Sequence, residues 1–303
     1  EDLQAAGARY MLGTRAADLA IEADSVTVMA DRDGERCLLR AETVVIASGL
    51  TSTLPARAGM GKLPDVVMAA QAEVQLAGET EVEVYLGRGV APGFFAWLVP
   101  TYSGQAWLGL FSRRKPDDYL RQLMRQLWER GKLLAPEAGV VTWGIPLRPR
   151  QSTFARRVLA LGDAAGQVKP TTGGGIYYGM LCAEIAASTI HQALAERDFS
   201  PARFAQYETG WKKLIGRELQ VGYYARRLYE RLSDSHIERL FSAVQSNGLH
   251  REIVEAADFS FDWHASFILR AMKQAALRGP LLALGSLVPS PLRRRLATRD
   301  KET

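Results

Sequence analysis

The densest chemical signal in the chain is the run Leu161-Gly162-Asp163-Ala164-Ala165-Gly166-Gln167-Val168-Lys169-Pro170-Thr171-Thr172-Gly173-Gly174-Gly175-Ile176. Asp163 follows the short apolar run Val158-Leu159-Ala160-Leu161, and three glycines precede an Ala-rich stretch, from about Ile176 to about Ala195, that reads as a helix. A strand that ends in Gly-Asp points the carboxylate into the crevice at the carboxyl edge of a sheet. Gly162 and Gly166 let the backbone approach a ligand and take torsions that a Cβ disfavours. Glycines at a helix start leave its first N–H groups bare, and these groups with the helix dipole favour partial negative charge. The unit suits an anionic or dipolar ligand. A tight strand-to-helix turn with a capping Asp would explain a lone Gly-Asp-Ala, but not the whole run.

Other residues carry weaker signals. Phe95 and Trp97 stand two apart between Pro92 and Pro100, so they share one face of a strand. Such a face is either core or the wall of an apolar cavity. Arg148, Arg150, Arg156 and Arg157 cluster just before Val158. They are either solvated or placed to meet a lipid or NADPH phosphate. The two cysteines, Cys37 and Cys182, make neither a disulfide framework nor a metal pattern, and both read as buried thiols. No metal site is expected. No His, Glu or Asp near these motifs presents itself as a proton donor, so the catalytic residues stay unassigned.

The run from Gly162 to Ile176 resembles the second flavin-binding motif of the para-hydroxybenzoate-hydroxylase-like flavoproteins. In particular it resembles the geranylgeranyl reductase family, with its Gly-Asp-Ala-Ala-Gly, its Pro, and its Gly-rich turn ending in Ile. The resemblance implies FAD. Asp163 would bind the ribitol from the turn Gly162-Asp163-Ala164-Ala165-Gly166. Thr172, Gly173, Gly174, Gly175 and Ile176 would line the isoalloxazine, with Pro170 shaping the loop beside it. Ser48-Gly49, after the apolar run Thr43–Ala47, resembles the family's strand end near the adenosine. Gly49 keeps the backbone role there, while Ser48 replaces the more usual Asp. Ala16 would pass the adenine through its backbone, or be plain sheet edge. Phe95-Ala96-Trp97-Leu98-Val99-Pro100 is a close variant of the family's Tyr-x-Trp-x-Phe-Pro, which makes Phe95, Trp97 and Pro100 part of an isoprenoid wall.

Positioning these residues takes several elements. The 303 residues, 47% hydrophobic and 23% charged, suffice for two domains or one interrupted domain of ordinary globular composition, with a net charge of +5. Ala8–Leu12, Leu19–Glu22 and Val26–Ala30 read as strands, and Asp33-Gly34 signals a hairpin leading to Cys37. Thr43–Ala47 reads as a buried parallel strand. Val66–Leu76, Val82–Leu86, Gln105–Phe111 and Val140–Leu147 read as an antiparallel sheet with a helix from Asp118 to Gly131. Helices are expected from Pro201, over Asp234–Ser246 and over Leu249–Ala257.

The expected fold is α/β. A Rossmann-like FAD-binding domain (1–62 and 151–200) is interrupted by a β-rich substrate domain (63–150) and followed by a helical region (201–303). The chain starts at Glu1 without Met and carries no G-x-G-x-x-G. The family's first βαβ unit, on the order of a hundred residues, is therefore expected to precede it; a natural protein without that half is the alternative.

Between 265 and 299 lie seven basic residues and no acidic one, interleaved with apolar residues. This is either a helix lying on an anionic membrane or a core helix with a basic tail. No secretory signal and no bilayer-spanning apolar run stands out, so a cytoplasmic protein with peripheral membrane contact is expected. The resemblance implies FAD-dependent reduction of C=C bonds in geranylgeranyl or other prenyl groups on lipids, with NADPH or another electron donor and no nucleic-acid partner. A flavin-dependent monooxygenase or halogenase of the same fold is the alternative, since halogenases carry an aromatic-x-Trp-x-x-Pro element. A lipid-binding protein without flavin chemistry is a third reading, which the intact Asp163 motif disfavours.

Overall fold

The computed structural model describes residues 5–78, 81–246 and 260–277. They form two compact units. The first holds the described residues up to Pro64, with Pro149–Gln167 and Tyr178–Leu214; the second holds Asp65–Arg148, Val168–Tyr177 and the described residues from Ile215 onward.

The first unit has two small sheets. β1 (Thr14–Ile21), β2 (Val26–Arg32) and β3 (Glu35–Ala41) form an antiparallel meander. Asp33 and Gly34, both at positive φ (54° and 86°), make the tight turn between β2 and β3, and Asp31 Oδ1 accepts from the Gly34 N–H at 3.1 Å. In the other sheet β10 (Phe154–Ala155) pairs with β11 (Val158–Ala160), which runs parallel to β4 (Val44–Ile46). Parallel pairing sends the turns after β4 and β11, Ser48-Gly49 and Gly162-Asp163, to the same carboxyl edge. Leu19, Val26, Ile46, Leu54, Val158 and Ala160 build the core beneath. The short helix α1 (Leu54–Arg57) adds Leu54 to it.

The second unit is a five-stranded antiparallel sheet in the order β6 (Glu83–Leu86), β7 (Phe95–Pro100), β8 (Gln105–Ser112), β5 (Val66–Gln75), β9 (Val140–Pro146). Helix α2 (Pro116–Glu129) buries Leu120, Leu123, Met124 and Leu127, spaced to form one stripe. Two long helices follow, α3 (Ile176–Glu196) and α4 (Pro201–Tyr229), then α5 (Asp234–Ser246) and α6 (Ala265–Leu277). Within the first unit α3 and α4 approach closely at Gly210, where a Cβ would stand 2.8 Å from Ile185 Cγ2.

The structure corrects several expectations. Ala8–Leu12 forms no strand: these residues are exposed and lack a paired neighbour. Val45 is 41% exposed because β4 is an edge of its three-stranded sheet, so this strand is parallel but not wholly buried. Cys37 is only partly buried on the meander; Cys182 is fully buried, and burial pushes its thiol up to about 12. The four arginines do not form one patch. Buried Arg150 donates to the carbonyls of Ala164 and Gly61. Buried Arg157 donates to those of Ala23 and Glu42 and lies 3.9 Å over the Phe199 ring. Arg156 donates to Ala23, while Arg148 belongs to the other unit, over the Tyr223 ring. Arg150 and Arg157 are thus spent on carbonyls rather than held for a phosphate, while Arg156 stays exposed.

Helix α6 buries Ala265, Leu269 and Met272 against Val221 and Leu228, so this part of 265–299 packs as core. Leu249–Ala257 and the stretch beyond Leu277 lie outside the described residues. Among the described residues no helix is long and apolar enough to cross a membrane.

Candidate functional site

The Gly-Asp turn follows β11 as a single 3-10 turn, Gly162–Ala164. Amides of Ala165 and Gln167 donate to the Gly162 carbonyl at 3.0 Å, and that of Gly166 to the Asp163 carbonyl at 3.1 Å. Gly162 and Gly166 stand at φ +63° and +80°, where a Cβ would be strained, so glycine is a conformational requirement at both. The space a Gly162 Cβ would occupy is open.

A buried network holds the turn. Gln167 is fully buried; its Oε1 accepts from the Gly162 N–H at 2.9 Å and its Nε2 donates to Tyr207 Oη at 2.9 Å. Tyr207 in turn donates to the Ala160 carbonyl at 2.8 Å, and burial pushes its phenol pKa up, so it stays a donor. One helical residue thus fixes both the strand end and the turn. Neither Gln167 nor Tyr207 was legible as site support from their types alone.

The Asp163 side chain stands apart from this network. Its carboxylate is partly buried and has no hydrogen-bond or ion-pair partner among the described residues. Burial alone acts on it and raises its pKa. An unpaired, half-desolvated carboxylate at a strand's carboxyl edge is a standing acceptor for hydroxyl donors.

Gly49 follows β4 at φ +72° with open space at its Cβ position. Ala16 is exposed in β1, where the pairing with β2 slips between Ala16 and Asp18. It lines an open groove of about 1140 Å³ in the first unit, together with Arg15, Asp18, Ser48, Thr51 and Arg57. The groove has mixed walls, with Met29 and Leu38 beside the polar groups, and room for a nucleotide-sized group.

In the second unit the loop Lys169–Gly174 closes on itself: the Lys169 amide donates to the Gly174 carbonyl at 3.0 Å and the Gly173 amide to the Lys169 carbonyl at 2.8 Å. Thr172 is exposed, and Ile176 is 85% exposed at the start of α3, a large apolar side chain left in water. Pro170 is buried, and Gly222 of α4 leaves room for it: a Cβ there would stand 3.3 Å from Pro170 Cδ.

Phe95 and Trp97 lie on one face of β7 with ring centroids 5.9 Å apart. Both meet Phe111 of β8, at 5.3 and 4.9 Å. Trp97 stands opposite Gly109, and its indole fills the space a Cβ would take, 2.3 Å from Cζ2. Pro100 closes the strand opposite Ala106. Beside Phe111 a void of about 10 Å³ is lined by Val67, Phe94, Ile145, Leu147, Pro170 and Gly173 among others. Phe111 joins the aromatic pair to the glycine loop, a role its apolar strand context did not reveal. Among the described residues no cluster of His, Cys, Asp and Glu could hold a metal ion.

No protein-family model matches the chain. It is 30% identical over 249 residues to a digeranylgeranylglycerophospholipid reductase from Methanocaldococcus jannaschii, an alignment covering 79% of this chain. The chain spans 64% of that relative's length. A geranylgeranyl bacteriochlorophyll reductase-like protein from Thermoplasma acidophilum superposes with a TM-score of 0.72 at 22% identity, covering 91% of this chain and 69% of that one. A flavin-dependent brominase superposes with a TM-score of 0.61 at 16% identity, covering 90% and 72%. The last two likenesses show the shared fold alone, with the brominase further away. In sequence the chain is similar to digeranylgeranylglycerophospholipid reductases, and in fold to a geranylgeranyl reductase-like protein and to flavin-dependent enzymes.

Proposed function

We propose that the chain serves an FAD-dependent reductase that saturates C=C bonds in the prenyl groups of lipids. The observation that carries this reading is Asp163, a carboxylate left without a partner among the described residues in a turn that Gln167 and Tyr207 hold in place. The turn fits FAD: Asp163 accepts from the ribitol hydroxyls, and Gly162, Ala164, Ala165 and Gly166 keep the backbone close and compact. Gly49 and Ala16 serve the adenosine side, Ala16 from the groove that it lines. Thr172, Gly173, Gly174, Gly175 and Ile176 line the isoalloxazine, with Pro170 fixing the loop. An apolar ring surface would cover the exposed Ile176 side chain.

Bound FAD, once reduced, would supply a hydride to one alkene carbon, while a proton adds to the other. The chain's own part is to hold the alkene in place and keep water away. Phe95, Trp97 and Pro100 form one wall for the prenyl chain. NADPH or another reductant recharges the cofactor. A substrate of this kind lives in a membrane, and basic residues within 265–299 provide a peripheral contact with anionic lipid.

The test is an anaerobic assay. Protein titrated with FAD and reduced chemically is mixed with a geranylgeranyl lipid, and products are weighed by mass spectrometry. Products heavier by two hydrogens per reduced bond are expected. Failure to take up FAD, or flavin-dependent oxygenation or halogenation of an aromatic compound in place of lipid reduction, overturns the proposal.

A further inference from the structure

The loop Lys169–Gly175 and the start of α3 at Tyr177 are held by a four-residue segment from far along the chain, Phe261-Asp262-Trp263-His264. Lys169 is the first contact. Its side chain is only 12% exposed and runs across Gly174, where a Cβ would lie 2.9 Å from its Cε. Its ammonium pairs with Asp262 Oδ1 at 2.6 Å and donates to the Phe261 carbonyl at 3.3 Å. Thr171 is the second: its hydroxyl meets His264 Nδ1 at 2.9 Å. His264 Nε2 faces the Phe261 carbonyl at 2.9 Å, and a carbonyl only accepts, so Nε2 carries the proton. In the neutral ring Nδ1 is then the acceptor for Thr171. Tyr177 is the third, edge-on to Trp263 at 6.4 Å.

The segment is itself anchored. The Ala265 amide, at the start of α6, donates to Glu218 Oε2 of α4 at 2.7 Å. Ala265 and Leu269 are buried against α4. Helix α4 also makes room for Pro170 at Gly222. Loop and segment are therefore braced on the same helix. A glycine-rich loop has high conformational entropy to lose, and three side-chain contacts, one of them a charge-assisted pair, offset that loss before any ligand arrives.

We infer that Phe261–His264 is a clasp that sets the position of the loop Lys169–Gly175, with Asp262 and His264 as positioning residues for the reaction. This rests on the proposed seat of the flavin ring at that loop. The clasp acts through the loop, and neither residue is placed against the reacting atoms.

The test uses the full chain with Asp262→Asn and His264→Gln, and Asp262→Glu as the conservative variant. Amide hydrogen exchange over Lys169–Gly175 is measured first, without flavin. Asp262→Asn should speed exchange by about tenfold or more, the scale of removing one charge-assisted hydrogen bond, and Asp262→Glu should restore most of the protection. Unchanged exchange in both Asp262→Asn and His264→Gln overturns the clasp, whether or not the protein takes up FAD. FAD is then added, and its visible absorption bands and reduction potential are compared. Shifts in Asp262→Asn that revert in Asp262→Glu support the positioning role. Faster exchange with the bound flavin's spectrum and potential unchanged overturns that role and leaves a purely structural contact. Failure of the unaltered protein to bind FAD counts against the proposed function, while the exchange measurement still decides the clasp.

Discussion

A Cβ on Gly173 would stand 2.9 Å from Phe111 Cζ, so the glycine loop rests directly on the aromatic cluster of the five-stranded sheet. Ile145 Cδ1 closes the same space at 3.2 Å. The loop and the Phe95–Trp97 pair are thus linked through one ring, with Phe111 in contact with all three.

This contact sets the first prediction. Gly173 sits at φ +75°, so Gly173→Ala incurs both left-handed backbone strain and overpacking against Phe111. A loss of about 2–4 kcal/mol of unfolding free energy is expected. Chemical denaturation of the flavin-free protein measures it. Adding Phe111→Leu should recover the packing share and leave the backbone share. A wild-type midpoint for Gly173→Ala would contradict the close contact.

Asp163 yields a prediction with two signs. Burial raises its pKa in the folded protein above that of the unfolded chain. Such a group favours the fold below the ordinary aspartate range and opposes it as pH rises through the folded pKa. Asp163→Asn should therefore stabilise the flavin-free protein at neutral pH, with the gain vanishing in acid below the ordinary aspartate range. Thermal melts across pH check this. The same substitution should weaken FAD binding, and Asp163→Ala should do so by about 1.5–3 kcal/mol, the range for a lost charge-assisted hydrogen bond. A variant that is no more stable and binds FAD as tightly would remove Asp163 from the site.

Tyr207 is expected to matter for stability in the opposite sense. Tyr207→Phe removes the donor to the Ala160 carbonyl and leaves Gln167 Nε2 without its acceptor, both buried. About 1–3 kcal/mol should be lost. Faster amide exchange at Gly162 and Gln167 would locate that loss in the Gly-Asp turn. Exchange unchanged there would show that the network does not hold the turn.

What was legible in the sequence follows the range of the forces involved. The strand, Gly-Asp turn and helix around Asp163 are specified by neighbours along the chain, and β11, the 3-10 turn and α3 lie where the pattern puts them. The Asp33-Gly34 hairpin is equally local. The arginines failed because their partners are remote: Arg150 reaches Gly61, 89 residues back, and Arg157 reaches Ala23, 134 back. No local pattern distinguishes a guanidinium spent on buried carbonyls from one awaiting a phosphate. Phe111, Gln167 and Tyr207 were missed for the same reason, since each acts through contacts set by the tertiary fold. Ala8–Leu12 had apolar residues at strand spacing but no partner strand among the described residues.

Trp97 separates wall from cofactor seat. Its indole packs over Gly109 and against Phe95 and Phe111, all within the five-stranded sheet. Trp97→Ala should therefore leave FAD affinity nearly unchanged while turnover of a geranylgeranyl lipid falls. Apolar burial against one large side chain is worth ~1.5–3 kcal/mol, and misplacing the alkene adds to the effect on rate. Because Gly109 offers no side chain to fill the gap, the alanine variant also loses stability, so Trp97→Phe serves as the control. The phenylalanine should retain most of the fold stability and an intermediate rate. Rates come from the anaerobic mass-spectrometric assay, and affinity from titration of flavin fluorescence. Turnover that matches wild type in both variants would make Phe95 and Trp97 ordinary core. A parallel collapse of FAD affinity in a folded variant would place Trp97 in the cofactor seat instead of the prenyl wall.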